Sequence, residues 1–329
     1  MVLRRLVLAV LLAALLGQSP GEAEAQLKQA VFIPQWVPQA QFAGYYFALE
    51  KGIYRKHGID LEILSGGPHN SSLDRLKDGK ADFATLWLST AIQARAEGLR
   101  VVNIAQILPR SALMLVAKKS SGILNPWDMN GKKVGLWPSV FQVQPKAFFK
   151  RYDLDVVIVP QSFSVNLFLR DGVDVVSAMW YNEYHTILSA GYNPEELTTF
   201  FFHEHGLNFP EEGIYVLEDR LNRDPEMCRA FVRASMEGWV AAFADPEEAL
   251  KIVMKNLKRE YIPATRVHQR WMLERMKDLI LTGDRKGIDT KLLSKDYYRV
   301  ATSLHSSGLI ETVPEYASFY KDLMADGQK

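Results

Sequence analysis

The chain has 329 residues, and because one domain usually spans roughly 100 to 200 residues, this length favours two domains. Apolar residues make up 48% and charged residues 23%, proportions that are ordinary for a globular protein and exclude a disordered or collagen-like chain. Lys and Arg number 39 against 38 Asp and Glu, so the net charge of +1 provides no basic field for phosphates, and we expect no nucleic-acid partner.

The first 25 residues have the pattern of a secretory signal peptide. Arg4 and Arg5 precede an unbroken apolar run over residues 6–16, and residues 23–25 form an Ala-Glu-Ala cleavage motif. The apolar run is too short to cross a bilayer, although an uncleaved signal anchor is the alternative. We therefore predict a signal peptide over residues 1–25 and a mature protein in the periplasm or another extracytoplasmic compartment.

Cys228 is the only cysteine of the chain. An exported protein often relies on disulfides, but a single cysteine cannot form one within the chain. We expect Cys228 to be a small buried residue in a helix.

Short apolar runs bounded by turn signals alternate with helical patterns, which indicates an α/β fold. From about Asp219 the pattern becomes fully helical, and Pro225, Pro246 and Pro263 are each expected in the first turn of a new helix. The predicted strands are 30–33, 61–64, 83–86, 101–107, 113–117, 133–136, 156–159, 173–179 and 214–217. The predicted helices before that point are 41–51, 71–77, 90–97, 140–152 and 165–170.

Two segments of equal length repeat the same pattern. Residues 76–87 and 169–180 each contain a helix end, an Asp-Gly turn, a strand and a final Trp. Residues 58–64 and 153–159 precede them with similar acidic and apolar patterns. Shared propensities could produce such a match by chance, but we favour two similar lobes that face each other.

Four of the seven tryptophans close a predicted strand: Trp36, Trp87, Trp137 and Trp180. In open α/β sheets ligands bind outside the carboxyl ends of the strands, and an indole ring suits stacking on a flat heterocycle. Packing in a core or hinge is the alternative for each of them. We expect structural roles for the remaining three, Trp127, Trp239 and Trp271.

Polar and small residues accompany these strand ends. Glycines allow backbone N–H groups to approach a ligand closely. Glu183 could accept hydrogen bonds from an amino or ring N–H, or it could be a solvated carboxylate in a first helical turn. The polar and small residues are Gln35, Gln39 and Gln41 after the first strand, Gly66, Gly67, Asn70 and Ser71 after the second, Thr85, Ser89 and Thr90 at the third, and Asn182 after the strand that ends near residue 179.

Residues 35–54, continuing through 58–61 and 66–68, resemble periplasmic solute-binding proteins of ABC importers, in the branch related to the thiamine pyrimidine-precursor synthase. The resemblance extends over essentially the whole mature chain. Further matching motifs are residues 79–83, 131–135 and 178–183.

The resemblance implies a type II periplasmic-binding-protein fold, with two α/β lobes that each contain a mixed sheet flanked by helices. Hinge strands would cross near Ala117 and Gly213, and the lobes would close on the ligand. The expected boundaries are 26–117 for the first lobe, 118–212 for the second, and 213–329 for the return to the first lobe with C-terminal helices.

The resemblance also implies a monomer that delivers a small heterocyclic ligand to an ABC permease in the inner membrane. Known relatives imply a thiamine pyrimidine precursor such as a formylated aminopyrimidine, with riboflavin as the alternative. The expected ligand-binding residues, combining the resemblance with the strand-end pattern, are Trp36, Gln39, Tyr46, Gly66, Gly67, Asn70, Trp87, Ser89, Trp137, Trp180, Asn182 and Glu183.

Catalytic patterns are weak. In the related synthase, a lysine and a histidine after the third strand hold a pyridoxal cofactor and a cysteine-rich run binds metal, whereas residues 85–90 here contain neither lysine nor histidine.

A Gly-x-Ser-x-Gly match at 17–21 lies in the signal region and cannot form a nucleophile elbow. His203 and His205 could present two imidazoles to a metal, but no third ligand is assured. We therefore assign no catalytic residue, cofactor or metal site.

Two functions stay open at this point. One is a transport receptor that captures a flat nitrogen heterocycle, and the other is an exported enzyme or a signalling receptor domain on the same scaffold. Stoichiometric reversible binding without turnover would favour the receptor.

Overall fold

The computed structural model describes residues 27–281 and 288–325, so the predicted signal peptide and its cleavage motif lie outside the described residues. The strands are β1 Lys28–Ile33, β2 Ile59–Ile63, β3 Phe83–Trp87, β4 Val101–Gln106, β5 Leu113–Lys118, β6 Lys133–Leu136, β7 Val157–Pro160, β8 Val175–Met179, β9 Leu197–Phe201 and β10 Glu212–Leu217. The helices are α1 Ala43–Glu50, α2 Ile53–Lys56, α3 Ser72–Lys77, α4 Leu88–Ala96, α5 Val143–Arg151, α6 Asn166–Leu169, α7 Glu183–Ser189, α8 Glu218–Arg223, α9 Pro225–Ala244, α10 Pro246–Arg259, α11 Arg266–Ile280, α12 Ser294–Ser306 and α13 Tyr316–Phe319.

The strands form two five-stranded mixed sheets with the same internal arrangement. The first sheet has the order β2-β1-β3-β10-β4 and the second has the order β7-β6-β8-β5-β9. In each sheet one strand pairs with two parallel neighbours, and a further strand is inserted antiparallel: β10, from after the second sheet, in the first sheet, and β5, from just before β6, in the second. This matched topology explains why the segments that contain β3 and β8 look alike in sequence.

The chain crosses between the sheets twice. It leaves the first sheet after β4, enters the second with β5, and returns after β9 with β10. We name the part built on the first sheet the first lobe and the part built on the second sheet the second lobe. Since β5 belongs to the second sheet, the segment expected in the first lobe, residues 26–117, ends inside a strand of the second lobe. The exact domain boundaries stay a prediction.

Most predicted elements are present, with two differences. The sequence interpretation missed β9, Leu197–Phe201, which forms the edge of the second sheet beside β5. Pro225 and Pro246 are the first residues of α9 and α10, as expected. Pro263 is not in the first turn of a helix, because α11 begins at Arg266 and Thr265 caps it by accepting a hydrogen bond from His268 N–H.

Helix α9 packs against α1 with almost no space between their backbones. A Cβ atom added at Gly238 would lie 2.4 Å from the carbonyl oxygen of Gly44, and one added at Gly44 would lie 2.2 Å from the Trp239 ring. Trp239 and Cys228 are fully buried in the same core, as the sequence indicated. This packing fixes α1 and therefore the polar segment that precedes it.

In the described ranges 27–281 and 288–325, none of the helices has the length and apolar character needed to cross a membrane.

Candidate ligand-binding site

A cavity of about 490 Å³, with its mouth included, lies between the two lobes, and we call it the main cavity. Its walls come from the carboxyl ends of β1 and β3 in the first lobe and of β6 and β8 in the second, which is where ligands bind in open α/β sheets. The lining residues are Gln35, Trp36, Gln39, Gln41, Trp87, Trp137, Phe141, Phe163, Met179, Tyr181, Asn182 and Glu183.

Aromatic rings from both lobes form the walls. Trp36 of the first lobe meets Phe163 of the second edge-on, with ring centroids 4.9 Å apart. Phe141 touches both Trp87, at 5.3 Å, and Trp137, at 6.1 Å. The Trp137 indole N–H donates to the carbonyl oxygen of Ser162 at 3.0 Å, which fixes the ring orientation. These walls leave flat faces on which a planar ligand could stack.

A buried amide network forms the polar side in the first lobe. Gln39 donates to Gln41 Oε1 at 2.6 Å, and Gln41 in turn donates to Glu212 Oε2 at 3.1 Å. Tyr45 donates to the other carboxyl oxygen of Glu212 at 3.2 Å. Gln35 Oε1 is buried and accepts no hydrogen bond from the described residues. The network therefore orients the amide groups on this side of the main cavity and leaves Gln35 Oε1 without a donor among the described residues.

Glu212 lies behind this network, at the start of the returning strand β10, and is fully buried. Burial raises the pKa of its carboxyl group to about 8, although the hydrogen bonds from Gln41 and Tyr45 lower it. The neighbouring Glu211 carboxyl raises it further. Because a buried charge is costly without a cation beside it, the carboxyl group is protonated over much of the neutral range.

Glu183 provides a carboxyl group on the opposite side. Its Oε2 accepts from the N–H of Met179 at 3.0 Å, and its Oε1 accepts from the side chain of Asn182 at 2.8 Å. Burial raises the pKa of Glu183 to about 7, while these hydrogen bonds lower it. A carboxyl group held in this way can accept hydrogen bonds from a ligand N–H when ionised.

Half of the expected ligand-binding residues line the main cavity: Trp36, Gln39, Trp87, Trp137, Asn182 and Glu183. The structure does not bring the others there. Tyr46 is buried in the core of the first lobe, and its hydroxyl group has no partner among the described residues. Ser89 lines a neighbouring cavity.

Gly66, Gly67 and Asn70 support the site from behind. A Cβ atom at Gly66 would lie 1.9 Å from the carbonyl oxygen of Pro34, and Gly67 has a φ of +131°. Asn70 donates to Ser65 O at 2.6 Å, and so closes the same loop. The loop therefore packs against the chain on either side of Trp36 and does not line the cavity itself.

Trp180 also lies away from the main cavity, contrary to the stacking role expected for it. Its ring is covered by the Arg275 guanidinium at 4.9 Å and contacts Phe201 edge-on. Its carbonyl oxygen accepts a hydrogen bond of 3.0 Å from the Trp271 indole N–H of α11. Met179, the last residue of β8, lines the cavity, whereas Trp180 begins the turn that follows and its ring packs on the other side.

Sequence reasoning missed several residues of the site. Phe141 and Phe163 follow the ends of β6 and β7 within a few residues, so the position rule that selected the tryptophans would have found them. No sequence pattern pointed to Glu212 as a buried residue behind the site, because an acidic residue beside an apolar strand is usually solvated.

His205, one of the two histidines considered for a metal, makes its contacts within the protein. His205 Nδ1 is 2.6 Å from the hydroxyl group of Tyr152, and its ring packs edge-on against Phe148. Over residues 27–281 and 288–325, no group of three or more His, Cys, Asp or Glu side chains is arranged to hold a metal ion.

The sequence profile of the family described as NMT1/THI5 like matches residues 39–249. The chain belongs to this family. The match begins at Gln39 and extends beyond β10, and therefore includes most of the residues that line the main cavity.

Relatives within this likeness include both binding proteins and synthases. The riboflavin-binding protein RibY of Chloroflexus aurantiacus is 26% identical over 73% of this chain and 68% of its own length. The formylaminopyrimidine-binding protein of Halalkalibacterium halodurans is 22% identical over 78% of this chain and 79% of its own. The 4-amino-5-hydroxymethyl-2-methylpyrimidine phosphate synthase THI5 of Saccharomyces cerevisiae is 23% identical over 67% and 68%.

Solved structures confirm the predicted fold class. The periplasmic aliphatic sulphonate binding protein SsuA from Escherichia coli superposes with a TM-score of 0.67 at 14% identity, over 87% of this chain and 94% of its own. The ligand-binding component of an ABC-type import system from Staphylococcus aureus gives 0.66 at 12% identity, over 92% and 99%. Identities this low establish a shared periplasmic-binding-protein fold only.

Proposed function

We propose that this protein is the extracytoplasmic substrate-binding component of an ABC importer, and that it captures a flat, uncharged nitrogen heterocycle in the main cavity. The observation that carries the proposal is the combination of aromatic walls with oriented amide and carboxyl groups in a cavity between two lobes. A thiamine pyrimidine precursor is the primary candidate, since its ring and amino groups match flat faces and acceptors.

The charge of the lining argues against an anionic ligand. No lysine, arginine or histidine is among the described residues that line the main cavity, and its one ionisable acid is Glu183. Burying a sulfonate or phosphate beside a carboxyl group, with no cation to pair with it, is unfavourable. The shared fold of the sulfonate-binding proteins therefore does not carry over to their ligand class.

The same lining favours a binding protein over a synthase. An aldimine-forming cofactor requires a lysine amine within reach of the bound group. The described lining offers no such amine, and the segment from Thr85 to Thr90 contains neither lysine nor histidine. We accordingly propose a receptor without turnover, exported by a signal peptide over residues 1–25, that acts as a monomer and delivers its ligand to a permease in the inner membrane.

Titration calorimetry of the mature protein tests this function. The ligands are 4-amino-5-hydroxymethyl-2-methylpyrimidine, its formylamino analogue, riboflavin and an alkanesulfonate, and each mixture is then analysed for product. We expect reversible binding of one heterocycle per protein and no product. Conversion of a bound pyrimidine would identify an enzyme, and preferential binding of the sulfonate would contradict the uncharged-ligand model.

Riboflavin is the second candidate. A second cavity adjoins the main one, and Trp87, Phe141 and Met179 line both. The riboflavin-binding relative from Chloroflexus aurantiacus supports this candidate, although riboflavin is the ligand of that protein and not an assigned ligand of this one.

A further inference from the structure

Helix α11, Arg266–Ile280, contacts the chain segments that carry both polar sides of the main cavity. These segments are residues 39–41 of the first lobe and the turn 180–183 of the second, and each contributes residues to the cavity lining. Helix α11 lies beyond residues 39–249, the part of the chain that matches the family profile, so that match gives the helix no role.

One face of α11 holds the segment 39–41 of the first lobe. Oε1 of Gln269 accepts a hydrogen bond from the backbone N–H of Ala40 at 2.7 Å, and Sδ of Met272 accepts one from the N–H of Gln41 at 3.2 Å. Gln269 and Met272 are both buried, so water does not readily replace these acceptors. Ala40 lies between Gln39 and Gln41, and the helix therefore fixes the backbone from which the amide network projects.

Another face of α11 holds the turn 180–183 of the second lobe. The indole N–H of Trp271 donates to the carbonyl oxygen of Trp180 at 3.0 Å. The ring of His268 stacks on His185 of α7, with ring centroids 4.7 Å apart. Since α7 begins at Glu183, these contacts hold the turn and the helix start that carry the carboxyl group of the site.

The two attachments of α11 leave from different sides of one rigid helix. Gln269 and Trp271 are two residues apart, and side chains at this spacing do not face each other on a helix. Backbone hydrogen bonds keep such residues at a fixed separation. The helix therefore links the amide network of the first lobe to Glu183 of the second at a set distance.

We propose that α11 sets the spacing between the two polar sides of the main cavity, with Gln269 and Trp271 as positioning residues. Neither residue lines the cavity, so both act on a ligand through the segments that they hold. This inference rests on the proposed function, because it concerns the same cavity. A ligand that bonds to both sides binds more tightly when their spacing is set beforehand. Release of the helix at either end removes this advantage, so a second release adds little.

Distances between spin labels on the two lobes test the inference in the ligand-free mature protein. The labels are attached at Glu62→Cys in the first lobe and Glu195→Cys in the second, since both positions are exposed. Cys228 is fully buried and stays unlabelled. Double electron–electron resonance then gives the distribution of distances between the labels.

Two single variants and their combination release the helix. Gln269→Leu removes the acceptor for Ala40 N–H, and Trp271→Phe removes the donor to Trp180 O. Gln269→Glu keeps an acceptor oxygen and is the conservative variant. Lys277→Leu changes an exposed residue of the same helix and is the matched control. Circular dichroism and thermal unfolding show which variants fold.

We expect the distance distribution to broaden to a similar extent in Gln269→Leu, in Trp271→Phe and in the double variant. Gln269→Glu and Lys277→Leu should resemble the wild type. Calorimetry with 4-amino-5-hydroxymethyl-2-methylpyrimidine should show affinity about three- to tenfold weaker in each single variant, as the loss of one hydrogen bond gives. The double variant should bind no more weakly than the weaker of the two single variants.

Unchanged distances in both single variants would overturn the inference. Broadening in the double variant that equals the sum of the single effects would also overturn it, because the two contacts would then act independently. Failure of the wild type to bind any heterocycle would contradict the proposed function instead. The label distances require no ligand, so they decide the inference in that case too.

Discussion

At the scale of single residues, the position of a side chain at a strand end predicted part of the lining of the main cavity. Trp36, Trp87 and Trp137 come together at the main cavity because carboxyl ends of parallel strands converge on one edge of each sheet. Trp180 does not line this cavity, because it begins the turn after β8 and its ring packs against Arg275 and Phe201. The direction of such a side chain depends on contacts between distant parts of the chain, which a single sequence does not specify.

Trp36 is the residue whose loss should weaken binding most directly. We expect Trp36→Ala to weaken affinity for a planar ligand by about 1 to 3 kcal/mol, because a stacking face and its buried area are removed. Trp127 is 63% exposed and lies outside the cavity, so Trp127→Ala is the matched control and should leave affinity unchanged. Equal losses in both variants, measured by calorimetry, would show that Trp36 does not stack on the ligand.

Glu183 should discriminate between ligands by their hydrogen-bond donors. The variant Glu183→Gln replaces one carboxyl oxygen by an amide donor, so we expect a larger loss of affinity for a ligand with amino groups than for one with carbonyl acceptors alone. Glu195→Gln changes an exposed carboxyl group of the same lobe and provides the control. The measurement is calorimetry at pH 8, where Glu183, with a pKa of about 7, is mostly ionised. Losses that do not depend on ligand type would count against this role.

At the scale of elements, the sequence predicted the alternation of strands and helices but not the order of the strands within each sheet. Turn signals and apolar runs identified nine of the strands, since local chain chemistry determines them. The edge strand β9 has the mixed sequence LTTFF and becomes a strand through pairing with β5. The antiparallel insertion of β5 and β10 depends on contacts between distant parts of the chain. A local pattern of apolar residues and turns does not specify such contacts.

The loop at Gly66 should affect the site through the element it supports. A Cβ atom there would collide with Pro34 O, so Gly66→Ala must displace the segment that carries Trp36. We expect both a lower melting temperature and a weaker affinity. Gly79→Ala is the control, because its φ of +68° makes alanine strained while leaving space for Cβ. Gly79→Ala should lower the melting temperature but preserve the affinity for ligand. If Gly66→Ala bound ligand with normal affinity, the loop at Gly66 would not influence the binding site.

At the scale of the whole molecule, contacts distant from the crossings hold the two lobes together. Helix α11 packs on the first lobe, yet its Trp271 donates to Trp180 O of the second lobe. His268 of the same helix stacks on His185 of α7, with ring centroids 4.7 Å apart. These contacts favour the arrangement of the lobes seen in this structure, in which both lobes line the main cavity.

Trp271→Phe should therefore shift the molecule towards an open form. The phenylalanine ring retains most of the packing but cannot donate to Trp180 O, so we expect a larger radius of gyration without ligand and a few-fold weaker affinity. Small-angle scattering and calorimetry measure the two effects. Trp127→Phe controls for the loss of an indole elsewhere. An unchanged radius together with unchanged affinity would show that this contact does not bias closure.

Titration of Glu212, where the chain returns to the first lobe, should make stability depend on pH. Its pKa is about 8 in the folded protein against a usual value of 4.5, so the folded state binds the proton more tightly than the unfolded state. The resulting stabilisation is complete below pH 4.5 and is lost as pH rises through 8.

Glu212→Gln replaces the carboxyl group by an amide that does not titrate. Comparing this variant with the wild type therefore isolates the dependence of stability on pH that comes from Glu212. Histidines with lowered pKa values, whose titration acts in the opposite direction, are present in both proteins and cancel in the comparison; they are His185, His203, His205 and His268. We expect the melting temperature of Glu212→Gln relative to wild type to increase steadily between pH 5 and pH 8. Thermal unfolding followed by circular dichroism measures it, with Glu195→Gln, which removes an exposed carboxyl group of the second lobe, as the control. A difference for Glu212→Gln that is also independent of pH would mean that Glu212 ionises normally, and that the amide network around it tolerates a buried charge.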